Sequence, residues 1–147
     1  MESVIISETE FQKARNRIRK NKGKKIIFSG STDELNRKVL EKEKIDVLLV
    51  SLKGRKDYSK QRNSGFNQVM AKIAKKGGVE IGINLEEILE TDKKEKPKIL
   101  ARVRQNIEIC KKNKLKMKFI SKNKQDRYNL KSLGLVLGMP TWMIKEI

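Results

Sequence analysis

The residues with the most evident chemistry are five cations packed into one short loop: Lys53, Arg55, Lys56, Lys60 and Arg62. A second basic loop holds Lys122, Asn123, Lys124, Gln125 and Arg127. Ammonium and guanidinium groups gathered just before a helix, whose first N–H groups lack intrahelical acceptors, are suited to holding phosphate. The alternative reading of the first loop is a solvated connector capped by Asn63 or Ser64. Other chemistries are poorly supplied. The chain has no histidine, so a Ser-His-Asp arrangement or an imidazole-based metal centre is excluded within it. Carboxylates alone could hold Mg²⁺, yet no Asp or Glu cluster recurs at the strand ends. Cys110 is the only cysteine and falls on the apolar side of its helix, where a free thiol acts as a small hydrophobe.

Composition points to the partner of these cations. The 147 residues include 36 Lys plus Arg against 18 Asp plus Glu, a formal charge of +18, with 37% hydrophobic residues. This is one domain's length with enough apolar content for a core, so the charge covers the surface of a folded domain spanning 1–147. A polyanion relieves such self-repulsion most simply; nucleic acid is the first candidate and an anionic membrane the second. No stretch approaches the roughly 20 apolar residues of a membrane span, no secretory leader pattern opens the chain, and a lone cysteine suits a reducing compartment. A cytoplasmic protein is expected.

Hydrophobic periodicity shows what must position the loops. Val47 to Val50 is a continuous apolar run of strand type, whereas Phe66, Val69, Met70, Ile73 and Ala74 follow helical spacing. The same alternation recurs along the chain. Strands are expected at Val4–Ser7, Lys25–Phe28, Ile45–Ser51, Val79–Leu85 and Lys116–Ser121. Helices are expected from Phe11, from a Ser31/Glu34 capping box, over Phe66–Lys76, as a short turn over Glu86–Glu90, from Pro97, near Leu130–Leu137, and as a last turn after Pro140. Trp142 in that last turn has apolar neighbours and reads as a core or interface anchor. Five β-α repeats require parallel strands with right-handed crossovers, and loops after parallel strands open on one face. Both basic loops should therefore share that face with Asn36 and Arg37, where barrel and doubly wound folds bind ligands. A complete eight-unit barrel needs roughly 250 residues. This α/β chain is thus either an open sheet or a TIM-barrel-like fold truncated to about five strands, whose edges need covering.

Several segments in one order carry a resemblance: N-R at Asn36–Arg37, I-D-V-L at Ile45–Leu48, G-R-K-D at Gly54–Asp57, N-S-G-F-N at Asn63–Asn67, A-K-I-A at Ala71–Ala74, V-E-I-G-I-N-L-E-E-I-L at Val79–Leu89, L-G-M at Leu137–Met139, and the Asn106/Cys110 spacing. This colinear set resembles the archaeal and eukaryotic ribonuclease P protein component 3 family, with the first two or so β-α units missing and an insert, Y-S-K-Q-R, between Asp57 and Asn63. The resemblance implies a TIM-like barrel without the metal ligands of related phosphoesterases. It also implies a subunit that pairs with ribonuclease P protein component 2 and supports removal of the 5′ leader from precursor tRNA by a catalytic RNA. No cofactor is then expected in this chain, Mg²⁺ belongs to the RNA component, and the chain is non-catalytic by itself. Phosphate contacts are expected from Arg37, Arg55, Lys56, Lys60, Arg62, Lys122, Lys124 and Arg127, with Asn36, Asn63 and Ser64 as hydrogen-bonding supplements. Arg55 and Lys56 are expected to be removable together without unfolding the domain. Rival readings are a general RNA-coating basic protein and a stand-alone metal-dependent phosphoesterase.

Overall fold

A computed structural model describes residues 2–147, and its elements alternate as the periodicity predicts. They are β1 (Ser3–Glu8), α1 (Phe11–Lys20), β2 (Lys25–Gly30), α2 (Asp33–Lys42), β3 (Val47–Leu49), α3 (Gln68–Gly77), β4 (Glu80–Asn84), α4 (Leu85–Leu89), α5 (Lys96–Lys112), β5 (Met117–Ile120), α6 (Arg127–Leu137) and α7 (Thr141–Ile144). All neighbouring strands pair in parallel, and the sheet order is β1-β2-β3-β4-β5. Sequential order is that of a barrel; a doubly wound sheet reverses direction part-way. Among the described residues β1 and β5 do not pair with each other, so the sheet remains open.

Alternation along the strands divides the core in two. Ile6, Phe28, Leu48, Ile81 and Met117 point to one face and pack with the apolar stripes of the helices in one large cluster. Ile27, Val47 and Leu49 point to the other face and form a small cluster with Ile120. Gly82 makes this inner layer fit. A Cβ there would stand 3.0 Å from Ile120 Cγ1 and 3.1 Å from Val47 Cγ1, which accounts for the glycine in V-E-I-G-I.

Several element ends differ from expectation, four of them for a clear local reason. Helix α3 starts at Gln68, not Phe66, and its cap is Asn67 rather than Asn63 or Ser64, the Asn67 side chain accepting from the Met70 N–H at 2.9 Å. Thr32, not Ser31, caps α2, its side chain accepting from the Leu35 N–H at 3.1 Å. Ser31 N–H is taken by the Glu8 carbonyl at 3.0 Å, continuing the β1–β2 ladder. Strand β3 stops at Leu49 because the backbone N–H groups of Leu52 and Lys53 turn instead to the Glu87 carboxylate. Helix α6 starts early, at Arg127, because Asp126 accepts from the Tyr128 N–H at 2.8 Å.

Candidate nucleic-acid interface

Both basic loops lie at the C-terminal end of the sheet, and α4 joins them. Asn84 caps this helix and leaves Glu86 and Glu87 adjacent in its first turn. Glu87 takes the loop after β3: it accepts from Ser51 Oγ at 2.6 Å, Leu52 N–H at 3.0 Å and Lys53 N–H at 3.2 Å. Glu86 takes the loop after β5, accepting from Ser121 Oγ and the Lys122 N–H, both at 2.7 Å. Burial alone would raise the Glu86 carboxyl, but these hydrogen bonds outweigh it and hold the group below the usual carboxylate range. Two neighbouring carboxylates thus hold the two cationic loops on either side of one helix.

The larger loop is organised from within by two arginines. Arg102, on the buried side of α5, is 1% exposed. It donates to the Leu52 carbonyl at 3.0 Å, the Arg55 carbonyl at 2.7 Å and Asp57 Oδ1 at 3.2 Å, and its guanidinium lies 3.6 Å from Glu95. A planar guanidinium has enough fixed donors to satisfy several loop acceptors at once. Arg55 makes a two-pronged pair with Asp33 at 2.9 and 3.0 Å and also donates to Asn63 Oδ1 and to the Ser51 carbonyl. Asp57 accepts the Asn63 N–H, which holds its carboxyl below the usual range, with Arg102 assisting. Gly65 has φ +70°, and a Cβ on it would strike the Arg55 guanidinium and come within 2.6 Å of Val50 Cγ1. N-S-G-F-N is therefore the sequence that lets Arg55 seat.

These contacts tie four of the expected RNA ligands into the chain itself. Asn36 is 1% exposed and accepts the Gly30 N–H at 2.8 Å, closing the end of β2. Ser64 is 2% exposed, with its hydroxyl donating to the Phe66 carbonyl and accepting from Gln105. Asn63 spends its side chain on Arg55, Gly65 and the Lys56 carbonyl. Arg55 is fully engaged, so its removal would release Asp33, Asn63 and the Ser51 carbonyl together. It is not removable without cost to the domain. Polar groups this deep serve the loop's own folding.

The remaining expected ligands face outward. Arg37 is exposed and pairs with Glu41 at 3.0 Å, one turn along its own helix. Lys56, Lys60, Arg62, Lys122, Lys124 and Arg127 are exposed and, among the described residues, enter no ion pair. Five acids of this end, Asp33, Asp57, Glu86, Glu87 and Glu95, are occupied in ordering the loops, so the exposed cations outnumber the acids left free there, among them Glu34. Tyr58, 64% exposed between Lys56 and Lys60, adds an aromatic ring that the reading of charge alone overlooked. Among the described residues no group of three or more His, Cys, Asp or Glu side chains is placed to hold a metal ion, and no helix is long and apolar enough to cross a membrane.

Comparison with known proteins gives this arrangement a context. No family profile matches the chain. Ribonuclease P protein component 3 of Methanosarcina acetivorans is 32% identical over 87 residues, covering 59% of this chain and 34% of that protein. The protein of the same name from Methanocaldococcus jannaschii is 28% identical over 131 residues, covering 88% of this chain and 53% of that protein. The chain thus matches between a third and about half of the length of these curated relatives. In a solved structure of archaeal ribonuclease P with mature tRNA, one chain superposes with a TM-score of 0.81 at 25% identity, over 98% of this chain and 64% of that one. In sequence and in fold, this chain is a relative of the ribonuclease P protein component 3 family.

Proposed function

We propose that this chain acts in the cytoplasm as a ribonuclease P subunit that binds the particle's catalytic RNA and supports removal of the 5′ leader from precursor tRNA. The observation that carries the reading is the agreement of the colinear sequence match with a fold likeness spanning 98% of the chain. The rim geometry supports it. Lys56, Lys60 and Arg62 on one loop and Lys122, Lys124 and Arg127 on the other offer two sets of unpaired cations flanking α4, with Tyr58 available to stack on an unpaired base. Lysines and arginines on loops grip phosphates without reading base edges, so folded shape would decide which RNA is held.

Hydrolysis in this reading belongs to the RNA and its Mg²⁺, and the protein fixes RNA shape. A chain without histidine lacks the usual base and the usual metal ligand. A second protein subunit, component 2 in the family's pairing, fits the exposed stripe of α6. Tyr128, Leu135 and Val136 are 80%, 60% and 72% exposed at helical spacing, an apolar surface of the kind protein partners cover. The test replaces Lys56, Lys60 and Arg62 with Gln and titrates an archaeal ribonuclease P RNA across salt. The salt slope should fall by about 0.7 to 0.9 for each phosphate that the variant no longer neutralises. An unchanged slope removes the rim from the interface, and equal affinity for unrelated RNAs would favour a general coat.

A further inference from the structure

The opposite end of the sheet carries cations that the rim reading leaves unused. In a β-α repeat every helix ends, and every following strand begins, at this end. The α1–β2 junction holds Lys22 and Lys24, the α2–β3 junction Lys42 and Lys44, and the α5–β5 junction Lys114 and Lys116. Lys75, in the last turn of α3, donates to the Lys114 carbonyl at 3.0 Å and ties the β5 junction to the β4 junction. All six junction lysines are exposed. Part of the row borders an open groove of about 630 Å³ between the ends of α1 and α2.

The local acids do not neutralise this row. Glu43 is held between Arg15 and Arg19, each at 3.2 Å, and Asp46 accepts the Ile26 N–H at 2.8 Å. Lys24 and Lys116 meet Glu2 and Glu146 only at 4.0 and 3.6 Å. Among the described residues Lys22, Lys42, Lys44 and Lys114 enter no ion pair. One cation in a helix's last turn serves its dipole. Lysines in the connections beyond the helix ends exceed that need. On the inner face at the same end, Lys118 of β5 pairs with Glu80 at 3.6 Å.

The partner's chemistry follows from what this face lacks. None of the large exposed hydrophobic residues of the described chain falls within these three junctions. Protein interfaces rely on aromatic and apolar anchors and are depleted in lysine, whereas a phosphate backbone asks only for a row of cations. Neighbouring strands are about 4.8 Å apart, so the junctions form a line, which suits a linear polyanion. A strand of about five residues rises about 16 Å, so this line and the rim cannot follow the same stretch of backbone.

We propose that the helix-to-strand junctions form a second RNA phosphate-backbone surface, so that the chain bridges two RNA segments, one at each end of its sheet. The proposal rests on the RNA-binding reading above, and its test separates the two. The full chain, a K22Q/K24Q/K44Q/K114Q variant and a K56Q/K60Q/R62Q variant are titrated with a short RNA hairpin, and stoichiometry and salt slope are read for each; thermal melting verifies that each is folded. Wild type should bind two hairpins. Each variant should bind one, with its slope reduced by about 0.7 to 0.9 per phosphate left unneutralised. A junction variant that still binds two hairpins with the wild-type slope overturns the second surface and leaves the rim reading intact. Undiminished binding by both variants overturns both surfaces. Displacement of the junction-bound hairpin by poly-glutamate at lower concentration than by competing RNA would reassign the surface to an acidic protein and also overturn the proposal.

Discussion

Arg102→Met tests whether one buried guanidinium sets the larger basic loop. The side chain is 1% exposed, and its removal strips donors from the Leu52 and Arg55 carbonyls, at 3.0 and 2.7 Å, and leaves the nearby carboxylates without their central cation. An unsatisfied buried acceptor costs about 1 to 3 kcal/mol, whereas the carboxylates left behind, 41% and 24% exposed, are reached by water and add little. Methionine fills similar length and regains some apolar burial, so the net loss should be about 3 kcal/mol. For a chain of this size that lowers Tm by roughly 10 °C. Arg102→Lys should fall in between, because a single ammonium cannot reach all three acceptors in the plane the guanidinium spans. Circular dichroism melts give the stability change. Trypsin cleavage at Lys56, Lys60 and Arg62 reports loop order and should accelerate in the Met variant at temperatures where the rest of the chain is folded. A Tm within about 2 °C of wild type, with unchanged cleavage, would refute the role assigned to Arg102.

Gly65→Ala forces a Cβ into the Arg55 guanidinium at a positive φ and should cost about 1 to 3 kcal/mol, read in the same melts; a neutral outcome would mean that Arg55 is not seated as described. The Glu86 carboxyl is held below its usual range, so the stability it contributes is present above its unfolded pKa of about 4.3 and is lost as pH falls through the lower folded value. Melts between about pH 6 and pH 3 should therefore show a shallower acid decline for Glu86→Gln than for wild type, and parallel curves would contradict the assignment. Burial pushes the Cys110 thiol up to about 12, so a chromogenic disulfide reagent should leave it unmodified in the native chain at about pH 8 and label it fully after denaturation; rapid native labelling would contradict its burial.

How far the fold was legible follows from the kind of signal each element carries. The β-α alternation could be read because buried strands and amphipathic helices differ in apolar period, and that difference survives without tertiary information. The shared end of the two basic loops followed from parallel connectivity alone. What could not be read was which polar side chains the loops consume. Arg55, Asn36 and Ser64 look like surface ligands until Asp33, the Gly30 N–H and Gln105 are brought to them by the folded chain. Arg102 did leave a trace. With Ile99, Val103, Asn106, Ile107 and Cys110 it falls on one i, i+3, i+4, i+7 face, and two polar residues on an apolar face signal buried hydrogen bonding. Glu86 and Glu87 read as dipole-favoured acids of a short helix, a role they also have, and their grip on two flanking loops depends on strand order.

Cleavage of precursor tRNA by an archaeal ribonuclease P reconstituted with and without this chain tests the central claim most directly. Leader removal should rise when the chain is added, should fall back when Lys56, Lys60, Arg62, Lys122 and Lys124 are replaced by Gln, and should be absent with the polypeptide alone. Cleavage indifferent to the chain, or hydrolysis by the isolated polypeptide, would contradict it.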